Sequence, residues 1–419
     1  MTQTVGWNRW LWLTLFVALV LRLGLAFGVQ YVVSQTPGRL CLITGDAEGY
    51  WELAGKVAAG DNYSIYDPPR QLLRMPGFPI LLALPRLAFG NNPFVARIVL
   101  AIVGTLACGL TYWLGRELVG EAVGVVAAAY TAISPTMGLF SVLFLSETAF
   151  ATAMLASLVA AAKLMRYGSD SAQSAIVHKR LSIVTGVLVG LATYMRPTWL
   201  LVGPGLAVLV VVFGRQAFRV KLTHAGLVCL GLAVAMAPWT IRNALVTGRF
   251  VPTTLWVGPS LYDGLNPTAT GETDMKFFDR DQLLQSMSEY QMDQEYRRRA
   301  WGFASEHPEK VLWLALMKQL KYWSPAPNGA QFNTPWIQAA AWLFYVPLVL
   351  FAFVGIWSAR QDLRLVILTV APVFYFAALH LLFVGSLRYR LPAEYPLAVL
   401  AAVGLRTCLQ TRISLWLRS

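Results

Sequence analysis

Between Trp10 and Val33 the chain carries one charged side chain, Arg22, and from Trp336 to Trp357 it carries none. Runs of this length and polarity limit the possible folds severely. In hydrocarbon every backbone N–H and C=O must find its partner inside the structure, which leaves helices or closed barrels. About 20 continuous apolar residues match a helix crossing the bilayer, whereas a barrel strand shows about 10 of alternating character. The 13% of charged residues, against about a quarter in a soluble domain, agrees. The sequence therefore predicts an all-α integral membrane protein. Ten spans are expected, at Trp10–Val33, Ala96–Gly115, Ala122–Ile133, Thr148–Met165, Leu181–Tyr194, Trp199–Phe213, His224–Trp239, Trp336–Trp357, Leu365–Phe383 and Pro392–Leu405.

The formal charge of +13 could suggest nucleic acid, but the basic residues sit in short clusters between apolar runs, as topology signals do. No nucleic-acid partner is expected. One set of short loops and ends holds Arg9, Arg116, Lys163, Arg166, Lys179, Arg180, Arg215, Arg219, Lys221, Arg360, Arg364, Arg406, Arg412 and Arg418; the opposite set holds only Arg196, Arg388 and Arg390. That asymmetry predicts cytoplasmic termini, with the long segments 34–95 and 241–335 outside. Three regions follow. Residues 1–240 form a transmembrane module bearing the first outer loop, 241–335 an external helical subdomain with an interfacial helix, and 336–419 the last transmembrane helices.

Several polar residues stand out against this background. Glu147 closes the apolar run GLFSVLFLSE; a carboxylate at that depth is either functional or a helix-start acid favoured by the dipole. Asp46 opens a short helix that Gly60 closes, and capping alone could account for it. Arg22 reads as snorkelling or facing the bundle. Arginine binds phosphate with a planar fork and keeps its charge. The outward Arg74, Arg196, Arg242, Arg388 and Arg390, with Tyr389 and the nearby His380, are open to lipid headgroups, to Glu147 and Glu394, or to the donor phosphate that a family resemblance implies. No Cys or His spacing suits zinc; a divalent metal shared by Asp46 and Glu147 stays open. The stretch VLWLALMKQLKYW reads as an interfacial helix with Lys310, Lys318 and Lys321 available to lipid headgroups.

The ordered series GDAEGYWELA, RMPGFPILLAL, GTLACGLTYWLGRELVG, AISP with LFLSE, YMRPTWLL, APWTIRNALVTGRFVPTT, HPEKVLWLALMKQLKYWSP and LRYRLPAEYPLAVL resembles the GT-C-type membrane glycosyltransferases. Within them it is similar to the family 39-like group of protein O-mannosyltransferases and the lipid A aminoarabinose transferase. The resemblance implies a polyprenyl-phosphate sugar donor used outside the cytoplasm of a bacterial plasma membrane, with a glycan, lipid or protein acceptor. It also implies that Asp46 activates the acceptor hydroxyl, with Glu48 as a displaced second acid and Tyr50 lining the substrate. Where the mannosyltransferases place Glu directly after the acid, this chain has Ala47. The aminoarabinose transferase has Arg–Tyr three and four residues after its Asp; here these are Gly49 and Tyr50. Its acid–Lys–Pro motif corresponds to Arg74, Met75 and Pro76, so a basic group would reach the phosphate from a shifted position.

The expected function is inverting transfer of a sugar from that donor to a hydroxyl, with Asp46 as base and Glu147 as a second candidate. The alternative is a lipid or solute transporter or flippase, for which internal repeats and paired broken helices would be the sign.

Overall fold

The computed structural model describes residues 4–166, 172–214, 216–327 and 334–416. Its helices are α1 (Thr4–Ser34), α2 (Asp46–Ala59), α3 (Gly77–Phe89), α4 (Pro93–Leu118), α5 (Glu121–Ile133), α6 (Pro135–Phe140), α7 (Glu147–Arg166) and α8 (Ala172–Met195). They continue as α9 (Val202–Phe213), α10 (Phe218–Thr247), α11 (Val257–Gly264), α12 (Lys276–Asp281), α13 (Glu289–Glu306), α14 (Pro308–Trp323), α15 (Pro335–Ser358), α16 (Leu363–Leu379) and α17 (Leu387–Trp416). No strand is present among the described residues; Ile65 and Arg70 form an isolated bridge. The chain is an all-helical integral membrane protein, and each of the ten expected spans falls on a helix.

Local chemistry sets several boundaries. Asn92 caps α4, its side chain accepting from the N–H groups of Phe94 and Val95 at 3.0 and 3.3 Å, and Pro93 supplies a first residue that has no N–H to lose. Ser288 and Gln291 form a reciprocal capping box on α13. Asp362 accepts from the Leu365 N–H to start α16.

Among the described residues six helices are long and apolar enough to cross a membrane. They turn large apolar side chains outward, including Phe16 and Phe27 on α1 and Leu343, Phe353 and Trp357 on α15. Such a surface is suited to lipid rather than water. At about 1.5 Å per residue, α5 with 13 residues is short of the roughly 30 Å hydrocarbon core. It breaks at Ser134–Pro135, and after α6 the backbone of residues 141–146 runs non-helical but wholly buried. Irregular backbone at such depth requires protein around it. Part of that cover is Arg22, fully buried and facing the bundle. Its guanidinium donates to the Thr131 and Ala132 carbonyls at 3.0 and 3.2 Å, which the end of α5 leaves without helical partners.

α17 is the central helix, packed against α4, α5, α7, α15 and α16. Its crossing with α15 is close because Gly355 and Gly404 lack side chains: a Cβ on Gly404 would lie 1.9 Å from the Phe351 carbonyl oxygen. At one end of the bundle α2 and α3 meet the subdomain α11–α14. The Leu255 N–H donates to the Leu72 carbonyl. The Glu289 carboxylate accepts from the Gln71 and Leu72 N–H groups at 2.5 and 3.1 Å.

The lysines of α14 do not face headgroups as the sequence suggests. Lys318 is buried and donates to the Leu381 and Leu382 carbonyls at 3.1 and 2.7 Å. Lys310 donates to the Pro267 carbonyl and Lys321 pairs with Glu272. The turn after α16 leaves carbonyls unpaired, and a buried ammonium satisfies two of them. The outward face of α14 is instead apolar, with Leu312, Trp313, Leu316 and Leu320 exposed.

Candidate active site

α2 begins at Asp46, and the residue preceding it, Gly45, takes φ 81°, a left-handed conformation open to glycine. The cap position is therefore Gly45, and capping does not account for Asp46. Glu48 provides the local closure: its carboxylate accepts from the Gly45 N–H at 3.2 Å. Glu48 is exposed and turned away from the residues below.

The Asp46 carboxylate is held by two arginines. Arg74 Nη2 donates to Oδ1 at 2.8 Å and Arg388 Nη1 donates to Oδ2 at 2.9 Å. Arg388 also donates through Nε to Glu147 Oε1, and the same oxygen accepts from Arg196 Nη2 at 2.6 Å. Arg196 Nε reaches Ser146 Oγ at 3.2 Å. The outcome is one chain of contacts, Arg74–Asp46–Arg388–Glu147–Arg196, drawn from five segments of the sequence.

Each member is positioned by its own element. Asp46 stands at a helix N-terminus, where the dipole favours a carboxylate. Glu147 is at the same point of α7, fully buried, with its Oε2 unpartnered. Arg196 follows the last residue of α8, and Arg388 lies in the first turn of α17. The Arg74 loop is pinned by the Tyr63 hydroxyl, which donates to the Arg74 and Met75 carbonyls, and Arg74 lies over the Tyr50 ring at 4.4 Å.

Partial burial pushes the Asp46 carboxyl up, but the Arg74 and Arg388 guanidiniums outweigh it and hold the group well below the usual carboxylate range. Its side chain retains 42% exposure, enough for a substrate to reach it. Burial lowers the affinity of Arg74 for its proton, yet Asp46 reverses that effect, and Arg74 titrates above its ordinary value.

Tyr389 forms the wall behind this chain, its ring stacked on His380 at 4.1 Å and 5.6 Å from the Arg196 guanidinium. His380 faces the Val384 carbonyl through Nδ1 at 2.6 Å and supports Tyr389 without touching either carboxylate. Two other sequence candidates lie elsewhere. Arg390 is about 200° around α17 from Arg388. It pairs with Glu394 at 2.7 Å, donates to the Tyr322 carbonyl and lies 3.7 Å over the Tyr345 ring. Arg242 donates to the Gln71 and Tyr63 carbonyls at 3.0 and 3.3 Å, bracing the Arg74 loop from behind.

The Asp46 and Glu147 carboxylates share one protein cation. The group between them is the Arg388 guanidinium, and among the described residues no three His, Cys, Asp or Glu side chains come together.

Sequence reasoning passed over Gly49 as an empty position. A Cβ there would meet Tyr66 Oη at 3.2 Å and Arg74 Nε and Nη2 at 3.4 Å. Arg74 thus fills the space over α2 that the glycine leaves. Gly49→Leu should improve helix propensity by roughly 0.8 kcal/mol while displacing Arg74. The displaced guanidinium gives up its bond to Asp46, and overpacking of a buried position costs about 1–3 kcal/mol, so the expected result is a lower melting temperature. An unchanged melting temperature would mean that Arg74 does not depend on the space over Gly49.

The family described as dolichyl-phosphate-mannose-protein mannosyltransferase matches residues 73–241, less than half of the chain. Among solved structures, the oligosaccharyltransferase of Archaeoglobus fulgidus in the apo form superposes with a TM-score of 0.62 at 15% identity, over 98% of this chain and 51% of that one. The archaeal oligosaccharyltransferase AglB from Archaeoglobus fulgidus, in complex with an inhibitory peptide and a dolichol-phosphate, gives 0.53 at 15% identity, over 96% of this chain and 51% of that one. ArnT from Cupriavidus metallidurans bound to undecaprenyl phosphate gives 0.46 at 14% identity, over 96% and 78%. The chain spans about half the length of the oligosaccharyltransferases it matches. No curated protein matches the sequence. The chain is thus similar to the mannosyltransferase family over residues 73–241 and shares the fold of the Archaeoglobus fulgidus oligosaccharyltransferase.

Proposed function

We propose that the protein transfers one sugar from a polyprenyl-phosphate donor to an acceptor hydroxyl at the outer face of the membrane, with Asp46 as general base. The observation that carries this reading is the charge of the contact chain. Arg74, Arg196 and Arg388 against Asp46 and Glu147 leave one positive charge, the complement of a singly charged phosphodiester. In the reaction the acceptor oxygen bonds to the anomeric carbon while the bond from that carbon to the phosphate oxygen breaks. The acceptor proton passes to Asp46 and the polyprenyl phosphate departs with a second negative charge. Neutralising Asp46 leaves the protein side with two positive charges, so the site stays balanced through the step. Preorganised cations facing the leaving group are the usual source of such stabilisation. Displacement on the face opposite the phosphate inverts the anomeric centre.

Donor binding would also prime the base. A phosphate that takes N–H groups of Arg74 and Arg388 removes the contacts that depress the Asp46 carboxyl, and its proton affinity rises toward that of a useful base. The AglB structure contains dolichol-phosphate; by analogy the donor here is a lipid phosphate. The experiment is turnover: membranes containing the protein, given a radiolabelled polyprenyl-phosphate sugar, should release one polyprenyl phosphate for each sugar moved to a new product. Donor that stays intact with each of several sugars would overturn the proposal.

A further inference from the structure

Arginines in the outer part of the molecule are, with few exceptions, neutralised or bonded. Arg297 meets Asp293 at 2.6 Å, Arg298 meets Glu295 at 2.8 Å and Arg299 meets Asp281 at 2.7 Å; Arg74 meets Asp46 and Arg242 meets two carbonyls. Arg70 is different. Its guanidinium makes no hydrogen bond or ion pair among the described residues, and its Nε is buried without a partner. Leaving a buried donor unsatisfied carries a desolvation penalty, so the arrangement calls for an explanation.

The side chain is nevertheless fixed. Its guanidinium carbon lies 4.4 Å from the Phe278 ring centre, 4.6 Å from Tyr66 and 5.3 Å from Trp256. Three aromatic rings hold the cation by their faces and leave the N–H edges for another group. Asp279 and Glu289 contribute favourable charge at longer range, but neither closes a salt bridge to it, and Glu289 spends both oxygens on Gln71 and Leu72.

A second anomaly adjoins the first. Tyr66 has φ 69°, a region bulky residues rarely enter, and such strain persists where surrounding structure enforces it, often at functional sites. Its ring is half exposed and packs against Arg70, while its hydroxyl reaches the surface of α2 at Gly49, beside Arg74. Tyr66 therefore bridges the phosphate-binding arginines and the aromatic cage. The cage itself is shared between the first outer loop and the outer subdomain, which supplies Trp256 and Phe278.

We propose that Arg70, in its cage of Tyr66, Trp256 and Phe278, is a binding site for an anionic group on the acceptor, a phosphate monoester or a carboxylate. An unpaired fork of N–H donors suits either planar or tetrahedral oxyanions. The Tyr66 ring lies against Arg70 and its hydroxyl lies beside Arg74, so the two cations are neighbours that feel each other's charge but share no ion-pair partner. The assignment of this ligand to the acceptor rests on the glycosyl-transfer reading; the anion site itself does not.

The test separates those two levels. Purified protein in nanodiscs is treated with phenylglyoxal, and modification of each arginine is followed by peptide mass spectrometry. Arg70 should react faster than Arg74, Arg388 and Arg297, and millimolar glycerol 1-phosphate or glucuronate should slow its modification at least threefold. Protection by one anion and not the other identifies the chemistry. Arg70→Gln should keep wild-type affinity for undecaprenyl phosphate and wild-type hydrolysis of donor to water, but raise the KM for acceptor tenfold or more. Arg70→Lys, which retains charge without the fork, should recover part of that loss. Absence of protection by either anion would overturn the site. Protection with an unchanged acceptor KM would overturn its assignment to the acceptor, whatever the outcome of the donor turnover assay.

Discussion

Asp46→Asn should abolish sugar transfer while leaving the lipid phosphate bound at least as tightly as in the unaltered protein. Loss of a general base costs about 10²–10⁴ in rate. The amide removes the charge that engages Arg74 and Arg388, so both guanidiniums are freed for phosphate and the site gains a positive charge. A purely structural Asp46 predicts a different pair of results, in which the unbalanced arginines lower stability and donor binding falls with it. Measuring undecaprenyl phosphate affinity and initial rate on the same preparation distinguishes the two. Glu48→Gln is the control. Its carboxylate only closes on the Gly45 N–H, and its loss should cost about 1 kcal/mol of helix stability at most, with transfer near normal.

The second large effect belongs to Arg388. Among the described residues it alone touches both carboxylates. In Arg388→Ala, Asp46 keeps Arg74 and Glu147 keeps Arg196, so neither acid is stranded without a cation. The variant should fold but bind undecaprenyl phosphate about 10- to 150-fold more weakly, the range set by one charge-assisted hydrogen bond of about 1.5–3 kcal/mol. Lys321→Ala removes a cation paired with Glu272 at the subdomain surface and should leave the affinity unchanged. Equal losses in the two variants would mean that the lipid responds to general surface charge.

The helices were legible because lipid forces a length and a polarity on each span, and such runs survive without knowledge of the partners. Convergence of Asp46 with Arg74, Glu147, Arg196 and Arg388 was less so. The acids and arginines could be singled out as expensive or out of place, but nothing local says which of them meet. Arg388 and Arg390 illustrate the difficulty. They are two residues apart and chemically identical; the position of α17 against α7 sends Arg388 to Glu147, while Arg390 pairs with Glu394 one turn along the same helix and reaches the Tyr322 carbonyl of α14. Lys318 misled for the opposite reason: helical spacing on an apolar stretch looked like an interfacial pattern, while the unpaired carbonyls it serves lie 63 and 64 residues away. Gly49 and Arg74 show a pattern that only the structure reads, in which an absent side chain on one segment makes room for a charge from another.

The most direct measurement is the location of the donor lipid. Undecaprenyl phosphate carrying a photoactivatable group beside the phosphate is bound to the purified protein, irradiated, and the crosslinked peptides are sequenced. Crosslinks are expected on the segments that carry Asp46, Arg74, Glu147 and Arg388, and they should disappear in Arg388→Ala. Crosslinks confined to the side of α17 that bears Arg390 and Glu394, or to the outer face of α14, would contradict the account.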